Sequence, residues 1–314
     1  MTVKTIFNKS KLNSLLSRYD LGKLKDIKVI TSGNVQTNYI LFTSQDKFVF
    51  RYYENRSRES VSFEIDVINK LNYHDFPCPA ILKNEKDRYF EMYNNKPYVI
   101  MEFIEGRHIE NLKKIHLKEI INKIGKLHKI TGNYQPPNIE SRLNYNIKSL
   151  KKLGKEKVEE LNSCYSQKKF NWLLNIIDEL ELPQNLTRGV CHCDFHYTNL
   201  LFEDNKLKSL LDFDDANYTY LIFDLVNFID YYFWPHDRMG LDFTEAAEII
   251  AEYQQQRKLN KVEKKHIFDV YKMGILFDCI WFFERGNIDS FYEKRKIEYL
   301  DQIGREKFYK ILFD

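Results

Sequence analysis

The chain has no long apolar run and no sign of an N-terminal targeting segment. Its most apolar stretch, residues 218–234, is interrupted by Asp224 and Asp230. A helix that spans a bilayer needs about 20 consecutive apolar residues. Residues 1–17 carry lysines at positions 4, 9 and 11 and lack the apolar centre of a secretion signal. The sequence therefore predicts neither a membrane segment nor a membrane partner.

Cysteine is also scarce. The 5 cysteines are an odd number and lie far apart, which favours a reducing, cytoplasmic compartment over a disulfide framework. Cys191 and Cys193 flank His192 and suggest a metal at first sight. A structural zinc site needs four ligands, commonly as two spaced pairs, and the sequence shows no second pair. We therefore expect no metal at these cysteines.

An excess of one charge is missing as well. The 48 basic and 45 acidic residues leave a net charge of +3, without the clustered basic excess of a dedicated nucleic-acid binder. The chain does have 43% hydrophobic and 15% aromatic residues, enough for a substantial core. Its 314 residues suit one large domain or two lobes, and nothing in them indicates an oligomeric state.

The N-terminal part reads as a small antiparallel sheet with one helix. Short β-branched and aromatic runs alternate with turn residues, and residues 57–71 carry apolar side chains at helical spacing. Strands are predicted at residues 28–31, 38–43, 47–53, 88–92 and 98–103. A break follows at residues 104–106, so the first lobe is predicted to span residues 1–103.

The remainder, residues 104–314, is predicted to form a larger and mainly helical lobe. A strand at 186–191 and a hairpin made by 200–202 and 209–213 interrupt the helical pattern. Helices are predicted at residues 116–129, 155–180 (one or two), 221–233, 245–257, 261–283 and 289–312. The fold class is therefore α+β with two lobes.

Three polar residues in this second lobe have the spacing of a phosphoryl-transfer site. Asp194 precedes Asn199 by five positions, and Asp212 follows after a short apolar strand. In such sites the first Asp orients the substrate hydroxyl and accepts its proton, while the Asn and the second Asp hold Mg²⁺ on ATP. Magnesium prefers oxygen ligands, and a carboxylate at the end of an apolar strand needs a partner. The alternative for Asp194 is a plain turn residue.

The spacing thus predicts a kinase that uses ATP and Mg²⁺, with Asp194 and His192 in the catalytic loop and Asn199 and Asp212 as metal ligands. His192 is expected to order this loop by hydrogen bonding, because Asp194 already occupies the position of the base.

The nucleotide is expected to bind the first lobe. Residues 31–38, between the first two strands, contain a single glycine, and the candidate phosphate contacts are Ser32, Gly33 and Asn34. A simple β-turn remains the alternative.

The third strand carries Arg51 where protein kinases place a lysine, and an arginine also binds phosphate. On the following helix Glu64 is preferred to Glu59 as its acidic partner, because Glu64 lies near the apolar face. The adenine is expected at the backbone where the fifth strand ends, and the candidates there are Glu102, Phe103 and Ile104.

Together these motifs resemble the aminoglycoside phosphotransferase and choline kinase-like superfamily, a branch of the protein-kinase-like fold. Its usual pattern is His-Gly-Asp-x-x-x-x-Asn followed by an apolar strand that ends in Asp, and Cys193 stands where that pattern has Gly. Residues 211–216 match the second motif, and Asp224 corresponds to an aspartate with a structural role. Within the superfamily, residues 48–54 and 76–79 are most similar to bacterial type II homoserine kinases.

The resemblance implies a small hydroxylated acceptor that carries an amine and is similar to homoserine, choline or an aminoglycoside. The acidic candidates for the amine are Asp214, Asp215, Asp230, Asp237 and Glu284. Arg238 or Arg285 could hold a carboxylate, and the aromatic runs 231–234 and 281–283 could face a cation or belong to the core. A protein Ser/Thr kinase of the stress-response type and a nucleotide-binding pseudokinase remain the alternatives.

Overall fold

The computed structural model describes residues 4–31, 35–235 and 240–314. It divides into two compact units, each assembled from separate stretches of the chain. Unit 1 comprises Met1–Asn111, Pro136–Arg142 and His196–Asp214, and unit 2 comprises Leu112–Gln135, Leu143–Phe195 and Asp215–Asp314. The lobe boundary between residues 103 and 104 stays a prediction.

Unit 1 contains a five-stranded antiparallel sheet in the order β1-β2-β3-β5-β4. Burial alternates along β2, where every second side chain from Thr37 to Thr43 is buried, as expected for a strand with one face in the core. The strands are β1 (Leu24–Ile30), β2 (Thr37–Thr43), β3 (Lys47–Tyr52), β4 (Phe90–Tyr93) and β5 (Lys96–Glu102). The predicted sheet is confirmed.

A short N-terminal helix, α1 (Lys9–Leu16), was not predicted. Its sequence is mostly polar, and isolated helices of this length are marginal in water. Here Asn8 caps the helix and Leu12 and Leu16 are buried in the core cluster of the sheet. In that cluster the ring of Phe7 lies edge-on to Phe50, at 5.1 Å between centroids. Tertiary packing therefore stabilises α1.

The longer helix described in unit 1 is α2 (Arg58–Tyr73), capped at its N-terminus by the Ser57 side chain. Its predicted apolar face is buried, and so is Glu64. A carboxylate in that position is costly unless something compensates it, which makes Glu64 a candidate functional residue.

A second sheet of unit 1 is the hairpin of β7 (Leu200–Glu203) and β8 (Lys206–Leu210). Asp204 in its turn has a positive φ of 54°, the left-handed region that Asp and Asn tolerate best after Gly. The N–H of Leu210 donates to the Pro77 carbonyl at 2.8 Å, which fixes the end of β8 next to residues 211–214. The predicted hairpin is confirmed.

Unit 2 is mainly helical, as predicted. The helix α8 is buried along most of its length because α4, α6, α9 and α10 all pack against it. The helices described are α3 (Lys114–Thr131), α4 (Ile147–Leu161), α5 (Cys164–Asp178), α6 (Ile222–Phe233), α7 (Phe243–Gln256), α8 (Lys261–Trp281), α9 (Tyr292–Ile303) and α10 (Arg305–Phe313).

Two of the predicted helical segments are divided. Residues 155–180 belong to two helices, separated at Asn162 with φ of 40° and restarted by the Ser163 cap. The segment predicted to be helical at 289–312 contains two helices, because Gly304, with φ of 75°, ends α9 before α10 begins.

A short antiparallel pair, β6 (Arg188–Cys191) and β9 (Asn217–Tyr220), places the start of the motif loop within unit 2. A Cβ on Gly189 would lie 2.4 Å from the Thr131 carbonyl oxygen, so only glycine lets β6 approach the end of α3 this closely. β9 was not predicted, since its four residues carry no clear period of their own. No helix of the described chain is long and apolar enough to cross a membrane.

Candidate active site

The loop that contains Asp194 is held by hydrogen bonds from its backbone to α6. The N–H of His192 donates to Asp224 Oδ2 at 2.8 Å, and the N–H of Cys193 donates to Asp224 Oδ1 at 2.9 Å. The N–H of Asp194 donates to Nδ1 of the fully buried His192 at 3.2 Å. Both side chains therefore orient the backbone that carries the Asp194 carboxylate.

Cys193 adopts a positive φ of 67°. That conformation costs an ordinary residue about 1–2 kcal/mol but costs glycine almost nothing. The family pattern has glycine at this position, so the departure noted in the sequence has a structural consequence: the loop of this chain is strained, and the bond from Cys193 to Asp224 opposes that strain.

Asp224 is itself fixed by a buried histidine. Nε2 of His128 lies 3.0 Å from Asp224 Oδ2, and Nδ1 of His128 lies 2.8 Å from the Tyr253 hydroxyl. Burial lowers the pKa of His128, although Asp224 opposes this. A neutral ring that donates from Nε2 and accepts at Nδ1 satisfies all these groups.

His128, Cys191 and Asp224 also lie close enough together to suggest a metal site. Both oxygens of Asp224 and both nitrogens of His128 are already engaged in hydrogen bonds. Burial also raises the pKa of the Cys191 thiol, which disfavours the thiolate that a metal would bind. The cluster is a hydrogen-bond network.

A cavity of about 400 Å³ lies beside Asp194 within unit 2. Small-molecule sites usually measure about 300–1,000 Å³. The residues that line it are Tyr145, Cys193, Asp194, Asp215, Phe223, Asn227, Gly274, Phe277, Asp278 and Trp281. The geometry therefore combines the predicted base with a compartment that suits a small acceptor.

Of the four acidic candidates for the amine that the structure describes, Asp215 alone is among these lining residues. Asp214 is bound by Arg56, Asp230 is bound by Lys296, and Glu284 is exposed elsewhere on unit 2. Asp237, like Arg238, falls outside the described residues. The sequence interpretation missed Asp278, which is a single acidic position inside the otherwise apolar stretch 273–281 of α8.

In unit 1 the predicted pairing of Arg51 with Glu64 is not formed. Nη2 of Arg51 instead donates to Asp212 Oδ1 at 2.7 Å and lies 4.0 Å from Asp214 Oδ1. Both Glu64 oxygens lack a hydrogen-bond partner among the described residues. Glu59 is exposed and does not pair with Arg51 either. The sequence could not show this, because two acidic groups compete for one guanidinium and packing decides between them.

Burial raises the pKa of Glu64 to about 7, and the nearby charge of Arg51 only partly opposes this. The carboxyl is 1% exposed, so its charged form is poorly solvated. Glu64 is therefore a buried acid near Arg51, which is bound to Asp212, and its oxygens could still accept a hydrogen bond.

Asp214 is the centre of a network that the sequence analysis did not identify. Nε and Nη2 of Arg56 donate to its carboxylate at 2.9 and 3.0 Å, and Nε2 of Gln36 donates at 3.0 Å. Burial alone would raise the pKa of Asp214, but Arg51 and Arg56 outweigh it and lower the pKa to about 2. Arg142 donates to the carbonyls of Phe213 and Asp214. These arginines are far away in the chain, and no spacing rule links them to the motif.

The two predicted magnesium ligands are both in unit 1. The N–H of Leu211 donates to the Asn199 carbonyl at 2.8 Å, which ties the residue before Asp212 to Asn199. Asp212 has a positive φ of 60°, and its side chain is 43% exposed. Oδ1 accepts from Arg51 and from the N–H of Asp214, whereas no protein donor is described for Oδ2. The residues present therefore fit a hard cation.

The other predicted nucleotide contacts are placed only in part. Ser32, Gly33 and Asn34 lie outside the described residues. Glu102 ends β5, and its side chain accepts a hydrogen bond from the N–H of Ala80 at 3.0 Å. Phe103 and Ile104 follow the strand outside any regular element and are half-buried. Their role in binding adenine stays a prediction.

An antiparallel five-stranded sheet, a mainly helical second part and the Asp-Asn-Asp motif define a kinase-type phosphotransferase with a protein-kinase-like fold. The chain belongs to the phosphotransferase enzyme family, whose model matches residues 26–259. The predicted family, fold class and enzyme class are confirmed.

Individual relatives are distant but cover most of the chain. A homoserine kinase of Rhodospirillum rubrum is 24% identical over 266 residues, which are 84% of this chain and 81% of the relative. Among solved structures, the amicoumacin kinase hAmiN in complex with AMP-PNP, Ca²⁺ and Ami has a TM-score of 0.66 at 14% identity, with 97% of this chain and 94% of that chain covered. A microcompartment-associated aminopropanol kinase has a TM-score of 0.63 at 13% identity, with 97% and 95% covered. At these identities the structures establish the fold alone.

Proposed function

We propose that the protein transfers the γ-phosphoryl group of ATP to a hydroxyl of a small amine-bearing alcohol. The observation that carries this proposal is the cavity beside Asp194, since its volume suits a small molecule and a candidate base lies in its wall. The relatives point the same way: one is named a homoserine kinase and another an aminopropanol kinase. The free cysteines agree with a cytoplasmic setting.

In the proposed reaction the acceptor hydroxyl attacks the γ-phosphorus, the bond between that phosphorus and the oxygen of the leaving ADP breaks, and the hydroxyl proton passes to the Asp194 carboxylate. Phosphoryl transfer requires mainly positioning and charge compensation. His192 contributes by accepting the hydrogen bond of the Asp194 N–H, which fixes the backbone of the base.

On the donor side, Arg51 is assigned to the phosphates, and Asn199 and Asp212 are assigned to Mg²⁺. The metal, when bound, neutralises charge on the phosphates and holds them for in-line transfer. Arg51 pairs with Asp212 at present, so it must exchange partners when Asp212 binds the metal. Glu64 is the acidic group left to receive it. Residues 32–34 and 102–104 are assigned to the phosphates and the adenine.

The direct test is Asp194→Asn in a coupled ADP-release assay over homoserine, 3-amino-1-propanol, choline, aminoglycosides and a generic protein substrate. The wild type is expected to phosphorylate at least one small amine alcohol. The variant should lose about 10²–10⁴-fold in kcat, the usual contribution of a general base, while its Mg-ATP affinity changes little.

Undiminished turnover in the Asp194→Asn variant would contradict the role of Asp194. Turnover by the wild type of the protein substrate alone would favour the protein-kinase alternative. ATP binding without transfer to any acceptor would favour the pseudokinase.

A further inference from the structure

The cavity beside Asp194 is acidic. Three of its lining residues are carboxylic acids, namely Asp194, Asp215 and Asp278, and no described lining residue is a lysine or an arginine. A cleft lined by one sign of charge concentrates ligands of the opposite sign. The lining therefore favours a cationic group on whatever enters.

Asp278 lines this cavity, and no ion pair is described for its carboxylate. Its side chain has no described hydrogen-bond or ion-pair partner, although it is accessible from the cavity. Lys296, whose positive charge acts on Asp278, is bound to Asp230 Oδ2 at 2.5 Å. Burial raises the pKa of Asp278 to about 7, and the charges of Asp230 and Glu293 add to the rise while Lys296 opposes it. The Asp278 carboxylate is therefore available to bind a cationic group of a ligand.

Aromatic rings surround the same space. Trp281 lies one helical turn beyond Asp278 on α8 and is 49% exposed. Tyr145 stacks on Phe223 at 4.7 Å between centroids and meets Phe277 edge-on at the same distance. Aromatic faces attract ammonium groups by cation–π contact, so rings and carboxylate together match an alkylammonium group better than a neutral alcohol.

We propose that Asp278 is the residue that selects the acceptor by binding its ammonium group inside this cavity. The assignment rests on the proposed function and goes beyond it by placing the amine on α8, at a residue that the motifs do not include. A cavity of about 400 Å³ holds the equivalent of roughly 13 water molecules at about 30 Å³ each. The acceptor class is therefore a compact primary-amine alcohol with its hydroxyl directed to Asp194.

The test compares Asp278→Asn with the wild type on two pairs of acceptors that differ in the amine. Homoserine is paired with 4-hydroxybutanoate, and 3-amino-1-propanol is paired with 1-butanol. Asn keeps the shape of Asp and removes the charge at a position that is exposed to the cavity, so the variant should fold. A buried charge pair that loses one partner usually costs a factor of 10 or more. We expect kcat/KM for the amines to fall at least 10-fold, mainly through KM, and kcat/KM for the amine-free partners to change less than 2-fold.

The matched control is Glu284→Gln, which removes one negative charge from an exposed position that does not line the cavity. It should leave all four acceptors within 2-fold of the wild type. Equal losses on amine and amine-free acceptors in Asp278→Asn, or unchanged selectivity, would overturn the role of Asp278. Failure of the wild type to phosphorylate any acceptor would refute the proposed function instead. Isothermal titration calorimetry with 3-amino-1-propanol tests the role of Asp278 independently of turnover. Binding to the wild type that is lost in Asp278→Asn supports the amine site. Equal binding to the two proteins, or binding to neither, refutes it.

Discussion

Replacement of Asp224 by Asn should loosen the loop that carries Asp194. Oδ2 of Asp224 accepts from the His192 N–H and from His128 Nε2, whereas the donor described for Oδ1 is the Cys193 N–H. The amide oxygen of the variant should take the place of Oδ2, where the His192 and His128 donors meet, so that its NH₂ group faces the Cys193 N–H. The Cys193 N–H then loses its acceptor. The hydrogen bonds from His192 and His128 remain but no longer end on a charged carboxylate.

The expected cost follows from these contacts. An unsatisfied donor costs about 1–3 kcal/mol, and charge-assisted hydrogen bonds are roughly twice as strong as neutral ones, which adds about 1 kcal/mol. The free energy of unfolding should therefore fall by about 3 kcal/mol, out of a typical total of about 5–15 kcal/mol. The strain at Cys193, with its φ of 67°, makes the loop the first segment to relax.

Urea unfolding followed by tryptophan fluorescence measures the stability change, and the coupled kinase assay measures its effect on catalysis. Because the loop positions Asp194, kcat should fall while KM for ATP stays within about 2-fold. Asp26→Asn, at an exposed position of β1, is the matched control and should lose less than about 0.5 kcal/mol. A loss in Asp224→Asn no larger than that of the control would refute the reasoning.

Two further predictions concern strain and pH. Cys193→Gly should be about 1 kcal/mol more stable than Cys193→Ala in the same urea assay, because both variants remove the thiol and only glycine relieves the positive φ; equal stabilities would contradict the strain. Glu64→Gln should leave the free energy of unfolding unchanged near pH 4 and raise it by up to about 3 kcal/mol near pH 8. The pKa of Glu64 is raised to about 7 by folding. Its ionisation therefore destabilises the folded protein progressively as the pH rises from the unfolded pKa to about 7. Glu59→Gln on the same helix is the control, and a gain that does not grow with pH, measured by thermal unfolding, would refute the burial argument.

Local patterns in the sequence were enough for the sheet and for most helices. The alternation of β2 and the apolar spacing of α2 report directly which face is buried, because the periods of strand and helix differ. The helix α1 and the strand β9 escaped prediction because each is short and mostly polar, and contacts with distant residues stabilise both. The break at Gly304 was also missed, since helical spacing continues on both sides of it.

The candidate site also contains some residues that the sequence predicted and others that only the tertiary structure identified. The sequence by itself predicted Asp194, Asn199 and Asp212, because these three oxygen-bearing residues have the order and spacing typical of phosphoryl-transfer motifs. Tertiary structure alone decided that Arg51 pairs with Asp212 and not with Glu64, that Asp224 holds the loop, and that Asp278 lines the cavity. Arg51 and Asp212 lie 161 positions apart, and Cys193 and Asp224 lie 31 apart. Their pairing depends on which charges packing brings together and how far it removes them from water, and no local period in a sequence records either quantity.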